Sequence, residues 1–138
     1  MKLYLLYYVA TGIVFLGVDA VWLGTMGNSL YRPLLGDLLL EKFRLAPAIA
    51  FYVIYIAGII FFATSPAIAA GRWSVALLNG AILGFVAYAT YDLTNQATLR
   101  SWSVTITILD LCWGTFVTAV SATLGYLIAG AIVRATSG

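Results

Sequence analysis

The sequence contains no histidine and a single cysteine, Cys112, which falls inside an apolar stretch. Without imidazole groups or paired thiols, the usual haem, zinc and copper sites and an internal disulfide are excluded. Both lysines, Lys2 and Lys42, lie outside the apolar stretches, which also excludes a retinal Schiff base within a membrane helix. We therefore expect no cofactor and no bound metal.

Charged residues are also scarce. They make up 9% of the 138 residues, against about 25% in soluble domains. The sequence is 63% hydrophobic and has a mean hydropathy of +1.02. The net charge of +2 is scattered along the chain and forms no basic cluster of the kind that binds nucleic acid. The composition predicts an integral membrane protein whose partners include membrane lipid but not nucleic acid.

Four apolar stretches are long enough to cross a bilayer, which takes about 20 residues. We predict an all-α fold, a single domain of four transmembrane helices at about residues 4–25, 47–64, 74–93 and 102–132. The first stretch is too long for a signal peptide and contains an aspartate, so we interpret it as a membrane span. A turn is predicted at Ser65-Pro66 and closes at Gly71-Arg72.

The segment 28–45 differs from the rest because it contains charged residues together with an apolar side of leucines and Phe43. This pattern predicts a short interfacial amphipathic helix between the first and second membrane helices. The alternative is that 37–44 extends the second helix beyond the bilayer. Both interpretations place the segment at the membrane surface.

Three aspartates lie inside the apolar stretches, and two of them sit on recognisable helix faces. In the first helix, Asp19 shares a face with Phe15 and Trp22, at spacings of three and four residues. In the fourth helix, polar and small residues recur every three or four positions: Ser103, Thr107, Asp110, Gly114, Thr118, Ser121 and Gly125. Helix packing explains the glycine and hydroxyl residues of this row, but it does not require Asp110.

Alternating helix directions place the three aspartates in one half of the bilayer, at about 1.5 Å of rise per residue. We predict that Asp19, Asp92 and Asp110 form one buried binding site. The polar and aromatic residues predicted to join them are Trp22, Tyr88, Tyr91, Asn95, Thr107 and Trp113. An ionised carboxylate within a span costs about 3 kcal/mol, so desolvation and repulsion favour the protonated form of at least one of the three. There are two alternatives to a binding site. The acids could serve only to fix the helix register, and the tryptophans could be ordinary core or interface residues.

The string Tyr91-Asp92-Leu93-Thr94-Asn95-Gln96-Ala97-Thr98-Leu99, followed by Trp102 and by Asp110-Leu111-Cys112-Trp113-Gly114, has a specific composition and order. With it, the chain resembles an uncharacterised family of small four-helix bacterial inner-membrane proteins, the domain-of-unknown-function family 2177. The resemblance extends over nearly the full length and includes Asp19 and Trp22. It implies four helices, a location in the bacterial inner membrane and these residues as the site. It implies no activity.

Three function classes stay open from the sequence. The first is a protein that binds a small or lipid-like molecule or a cation at the buried site, acting as a proton-coupled transporter. Because four short helices scarcely enclose a path, we expect this protein to be a homo-oligomer. The second is a membrane-embedded enzyme acting on a lipid or isoprenoid, in which two carboxyl groups perform acid–base chemistry. The third is an accessory subunit whose acids are purely structural.

Overall fold

The computed structural model describes residues 2–35 and 44–137 of the chain, and these residues form helices without any strand. Helix α1 spans Lys2–Met26 and continues through a π-helical turn, Gly27–Tyr31, into the short helix α2, Arg32–Leu35. The remaining elements are α3 (Leu45–Ile59), a second π-helical turn (Ile60–Thr64), α4 (Ser65–Ala70), α5 (Trp73–Thr98) and α6 (Val104–Ser137).

Four helical segments among the described residues are long and apolar enough to cross a membrane: Leu3–Met26, Leu45–Ala70, Trp73–Thr98 and Val104–Ser137. The prediction of an all-α fold with four membrane helices is therefore confirmed. The interfacial helix stays a prediction. The described residues at its start continue α1 as the π-helical turn and α2, and residues 36–43, which include Asp37 and Phe43, lie outside the described part of the chain.

The predicted turn at Ser65-Pro66 is wrong, because the second span continues as a helix to Ala70. Pro66 follows directly on the π-helical turn Ile60–Thr64, and local π-helical adjustments of this kind accommodate proline within a membrane helix. The helix ends at Gly71 instead, which agrees with the prediction that the turn closes at Gly71-Arg72. Gly71 has a φ of 69°, a left-handed conformation that glycine adopts without a steric penalty.

Helix α6 lies at the centre of the bundle and packs against α1 and α5. In the most apolar stretch of α6, 44% of the residues are buried, whereas the corresponding figure for the second span, Leu45–Ala70, is 11%. The largest fully buried side chains beside it include Phe15 from α1 and Ile59 from α3. The polar side of α6 that the sequence predicts therefore faces the interior of the protein, because Thr107, Asp110 and Ser121 are all buried.

Helices α5 and α6 are antiparallel and approach each other closely. A Cβ atom added to Gly84 would lie 2.8 Å from the Cβ of Thr118 and would overlap the carbonyl group of Gly114. A Cβ atom on Gly114 would in turn overlap the ring of Tyr88. Small residues at these positions allow the two helix backbones to come together.

Candidate functional site

A cavity of about 380 Å³ lies between α1, α3, α5 and α6, within the size range of small-molecule sites. We call it the aromatic pocket. Six of the residues predicted for the site line it: Asp19, Trp22, Tyr88, Tyr91, Asp110 and Trp113. The structure thus brings together side chains from the first, third and fourth spans, as the topology predicts. Their role in binding a ligand stays a prediction.

Asp19 is held by donors from two other helices. The hydroxyl of Tyr52 on α3 donates to Oδ2 at 2.6 Å, and the indole Nε1 of Trp113 on α6 donates to Oδ1 at 3.3 Å. The Asp19 side chain is 8% exposed. Both of these contacts are made by donors, which suits an ionised carboxylate because that group only accepts hydrogen bonds.

The two tryptophans of the predicted site stack on each other. The ring centroids of Trp22 and Trp113 are 4.3 Å apart and the ring planes differ by 11°. Each tryptophan follows an aspartate by three residues in the sequence. Trp113, from the second of these motifs, therefore contacts both members of the first, Trp22 by stacking and Asp19 by a hydrogen bond. One wall of the aromatic pocket is consequently fixed by aromatic contact and by hydrogen bonding together.

Asp92 lies behind the pocket rather than in its lining. The contacts between α5 and α6 advance four residues at a time, pairing Gly80 with Ala122, Gly84 with Thr118, and Tyr88 with Gly114. The next step of this register places Asp92 opposite Asp110. Asp92 is fully buried, and no N–H or O–H donor among the described residues reaches either of its carboxyl oxygens. Its carboxyl group instead faces that of Asp110.

Asn95 and Thr107 also lie outside the pocket lining. The side chain of Asn95 lies beside the hydroxyl of Tyr91, one helical turn earlier on α5. Thr107 accepts a hydrogen bond from the Nε1 of Trp102 at 3.0 Å, and the Trp102 ring meets Tyr91 edge-on with centroids 5.8 Å apart. These two predicted residues therefore hold the connection between α5 and α6 in place beside Tyr91.

The contribution of the second span was not predicted, because residues 47–64 contain no aspartate, glutamate, lysine or arginine. Phe51, Tyr52 and Tyr55 from this span line the aromatic pocket. The hydroxyl of Tyr55 is 2.8 Å from that of Thr118 on α6, and Tyr52 bonds to Asp19. The available signal was the presence of two tyrosines away from the ends of an apolar helix, where each buried hydroxyl requires a partner.

Metal ligation finds no support in this arrangement. Within residues 2–35 and 44–137, no group of three or more aspartate, glutamate or cysteine side chains is placed to hold a metal ion. The carboxyl groups of Asp92 and Asp110 form a pair, and the neighbouring residues of the pocket are mostly aromatic. The arrangement is suited to holding a cation by ring faces and carboxylates, or to holding a proton between two carboxyl groups.

Comparison with known proteins gives a family and no activity. No curated protein and no solved structure matches the chain. A family model described as "Predicted membrane protein (DUF2177)" matches residues 4–127, a range that includes every pocket residue named above. The resemblance to this family is thereby confirmed. The chain belongs to this family of membrane proteins of unknown function.

Proposed function

We propose that the protein binds a small, positively charged organic molecule in the aromatic pocket and acts as a small transporter in the bacterial inner membrane. The observation that supports this is the position of Asp19. Its carboxylate is almost fully buried in a membrane helix and forms part of a cavity whose walls are mostly aromatic rings. This combination of a buried anion and ring faces matches the chemistry of an organic cation.

Aromatic rings attract cations because the ring face carries negative charge density. An ammonium group within about 6 Å of a ring centre gains about 0.5–2 kcal/mol, most of all with tryptophan and when water is excluded. The aromatic pocket offers tryptophan or tyrosine rings from all four spans, among them Trp22, Tyr52 and Tyr88. A ligand that carries its charge on an alkylated nitrogen would contact several ring faces at once.

The charge balance of the pocket also favours a cation. Among the described residues, the pocket lining includes two aspartates and no lysine or arginine. A carboxylate within a span is costly, and it is usually neutralised by pairing. A neutral lipid or isoprenoid would leave Asp19 without a counter-charge, whereas a monovalent cation would supply one.

The other function classes have less in their favour. The pocket residues given by the structure include no serine, cysteine or lysine that could act as a nucleophile for an enzyme. Cys112 is exposed on the outside of α6. A purely structural role for the acids does not account for an aromatic cavity next to Asp19. Transport rather than simple binding also calls for a homo-oligomer, because four short helices scarcely enclose a path.

A binding experiment tests the proposal with tetraethylammonium as the probe. Isothermal titration of the purified full chain in lipid nanodiscs should show saturable binding. Asp19→Asn should weaken it by about tenfold or more, because one partner of a buried charge pair is lost. Trp22→Leu should weaken it by about 2- to 30-fold, the range expected from one ring face. Trp73→Leu is the matched control, since Trp73 is 52% exposed and lies outside the pocket.

Two results would contradict the proposal. If the wild-type chain does not bind tetraethylammonium, or if Asp19→Asn binds it equally well, the pocket is not an organic-cation site. Transport is measured separately, as uptake of labelled tetraethylammonium into proteoliposomes that carry a pH gradient. Uptake by the wild-type protein and its loss in Asp19→Asn would support a transporter. Saturable binding without uptake would instead show a binding or accessory subunit.

A further inference from the structure

The carboxyl pair behind the aromatic pocket has no role in the cation binding described so far. Asp92 does not line the cavity, and yet it is fully buried. A buried carboxyl group with neither oxygen reached by an N–H or O–H donor is a costly feature in a membrane helix. Its position follows from the close packing of α5 and α6, which brings it against Asp110.

Asp110 connects this pair to the pocket. Its carboxyl group faces Asp92 on one side, and the residue also lines the cavity. The other titratable side chains that line the cavity around it come from three helices: Asp19 on α1, Tyr52 and Tyr55 on α3, and Tyr88 and Tyr91 on α5. None of these groups is basic. A positive charge that enters the pocket therefore meets Asp110 and Asp19 without competition from a protein cation in the lining.

Two carboxyl groups that face each other away from water do not both ionise, because their repulsion is poorly screened. One proton between them removes that repulsion and supplies the hydrogen-bond donor that neither oxygen of Asp92 finds among the described residues. We propose that Asp92 and Asp110 form a proton-binding pair, which holds one proton and releases it when a cation occupies the aromatic pocket. This inference rests on the proposed function, and it identifies the proton as the ion whose release is coupled to cation binding.

The exchange conserves charge. Without a ligand, the ionised Asp19 and the singly protonated pair together carry two negative charges. When a monovalent cation binds beside Asp110, the O–H bond of the pair breaks and the proton leaves to water, so that three carboxylates and one cation again carry two negative charges. The interior of the bundle therefore has the same net charge before and after the exchange, which keeps the electrostatic cost of the exchange small.

Infrared spectroscopy tests the proton itself without any ligand. The full-length protein in lipid at neutral pH should show the carbonyl band of a protonated carboxyl group, shifted by exchange into heavy water. The band should disappear in Asp92→Asn, because the new amide donates a hydrogen bond to Asp110 and leaves that carboxylate ionised. It should persist in Asp19→Asn, which is the matched control. Asp110→Asn repeats the test if Asp92→Asn fails to fold.

Proton release tests the coupling. Tetraethylammonium is added at saturating concentration to the wild-type protein in weakly buffered solution, and the proton is counted with a pH-indicator dye. About one proton should appear for each cation bound, and Asp92→Asn should release none per cation bound. The carbonyl band should disappear on binding in the wild-type protein.

The possible failures are distinguishable. Absence of the carbonyl band in the wild-type protein overturns the proton pair whatever the ligand does. A band that persists while tetraethylammonium binds, with no proton released, overturns the exchange and leaves the cation site standing. A band without any binding of tetraethylammonium overturns the exchange together with the proposed function, and it still shows that the pair holds a proton.

Discussion

The arrangement of Asp92 against Asp110 depends on the contact between α5 and α6, so the substitution Gly84→Ala is a direct test of the geometry. The added Cβ would lie 2.8 Å from the Cβ of Thr118 and would overlap the carbonyl group of Gly114. Carbon atoms in contact are normally about 3.5–4.0 Å apart, so the helices must separate by about 1 Å. A backbone carbonyl cannot rotate away from the new methyl group as a flexible side chain could.

The expected loss of stability follows from two opposing terms. Overpacking of a close interface costs about 1–3 kcal/mol, and the rigid neighbour places this site near the upper end. Replacing glycine by alanine within a helix contributes about 1 kcal/mol in the opposite direction. We expect Gly84→Ala to lower the free energy of unfolding by about 2 kcal/mol. Gly58→Ala is the matched control, because nothing lies within 4 Å of its added Cβ, and it should be neutral or stabilising by up to about 1 kcal/mol.

The measurement is reversible unfolding in mixed micelles of increasing sodium dodecyl sulfate content, followed by circular dichroism and tryptophan fluorescence. The two variants should differ by about 2–3 kcal/mol, about 30- to 160-fold in the unfolding equilibrium constant. Equal stability of Gly84→Ala and Gly58→Ala would refute the close approach of α5 and α6, and the register that places Asp92 opposite Asp110 would lose its basis.

Three further substitutions probe other parts of the structure. Tyr55→Phe removes the partner of a buried hydroxyl and should lower the unfolding free energy by about 0.6–1.7 kcal/mol in the same titration; a neutral effect would contradict this hydrogen bond. Trp113→Phe should reduce the change in tryptophan fluorescence on tetraethylammonium binding, because Trp22 is then the only tryptophan among the described residues that lines the pocket, whereas the exposed Trp73→Phe should retain the full change; equal signals would place the ligand elsewhere. Gly71→Ala forces a side chain into the left-handed region and should cost about 1–2 kcal/mol; a stabilised variant would refute the helix end at this residue.

The membrane helices and the buried side of α6 could be predicted from the sequence because both are local patterns. Hydrophobic length defines a span without reference to its neighbours. The spacing of Thr107, Asp110, Thr118 and Ser121 follows the helix period, and all four side chains are buried as that period requires. Charge scarcity also made the three aspartates conspicuous, and alternating helix direction was enough to predict that they lie near one another, as Asp19 and Asp110 do in the pocket lining and Asp92 does beside Asp110.

The parts that could not be predicted depend on contacts between helices. Tyr52 has no sequence signal that assigns it to Asp19, because that hydrogen bond is set by the rotation of α3 about its own axis. The sequence likewise contains no signal that Asp110 lines the pocket while Asp92 lies behind it. The helical path through Pro66 was missed for a different reason. A proline marks either a turn or the first turn of a helix, and the preceding π-helical turn is not visible in the sequence.

The contact between α5 and α6 determines both the packing of these helices and the surroundings of the Asp92 and Asp110 carboxyl groups. Glycines at positions 80, 84 and 114 leave no room between α5 and α6 for even an added Cβ atom, and Asp92, one step further along the same interface, is fully buried. If the helices were further apart, water would solvate both carboxyl groups and each could ionise independently. The glycines therefore do more than tighten the bundle. By fixing the distance between the helices, they set the polarity around the carboxyl pair, and any chemistry of that pair depends on residues that carry no functional group.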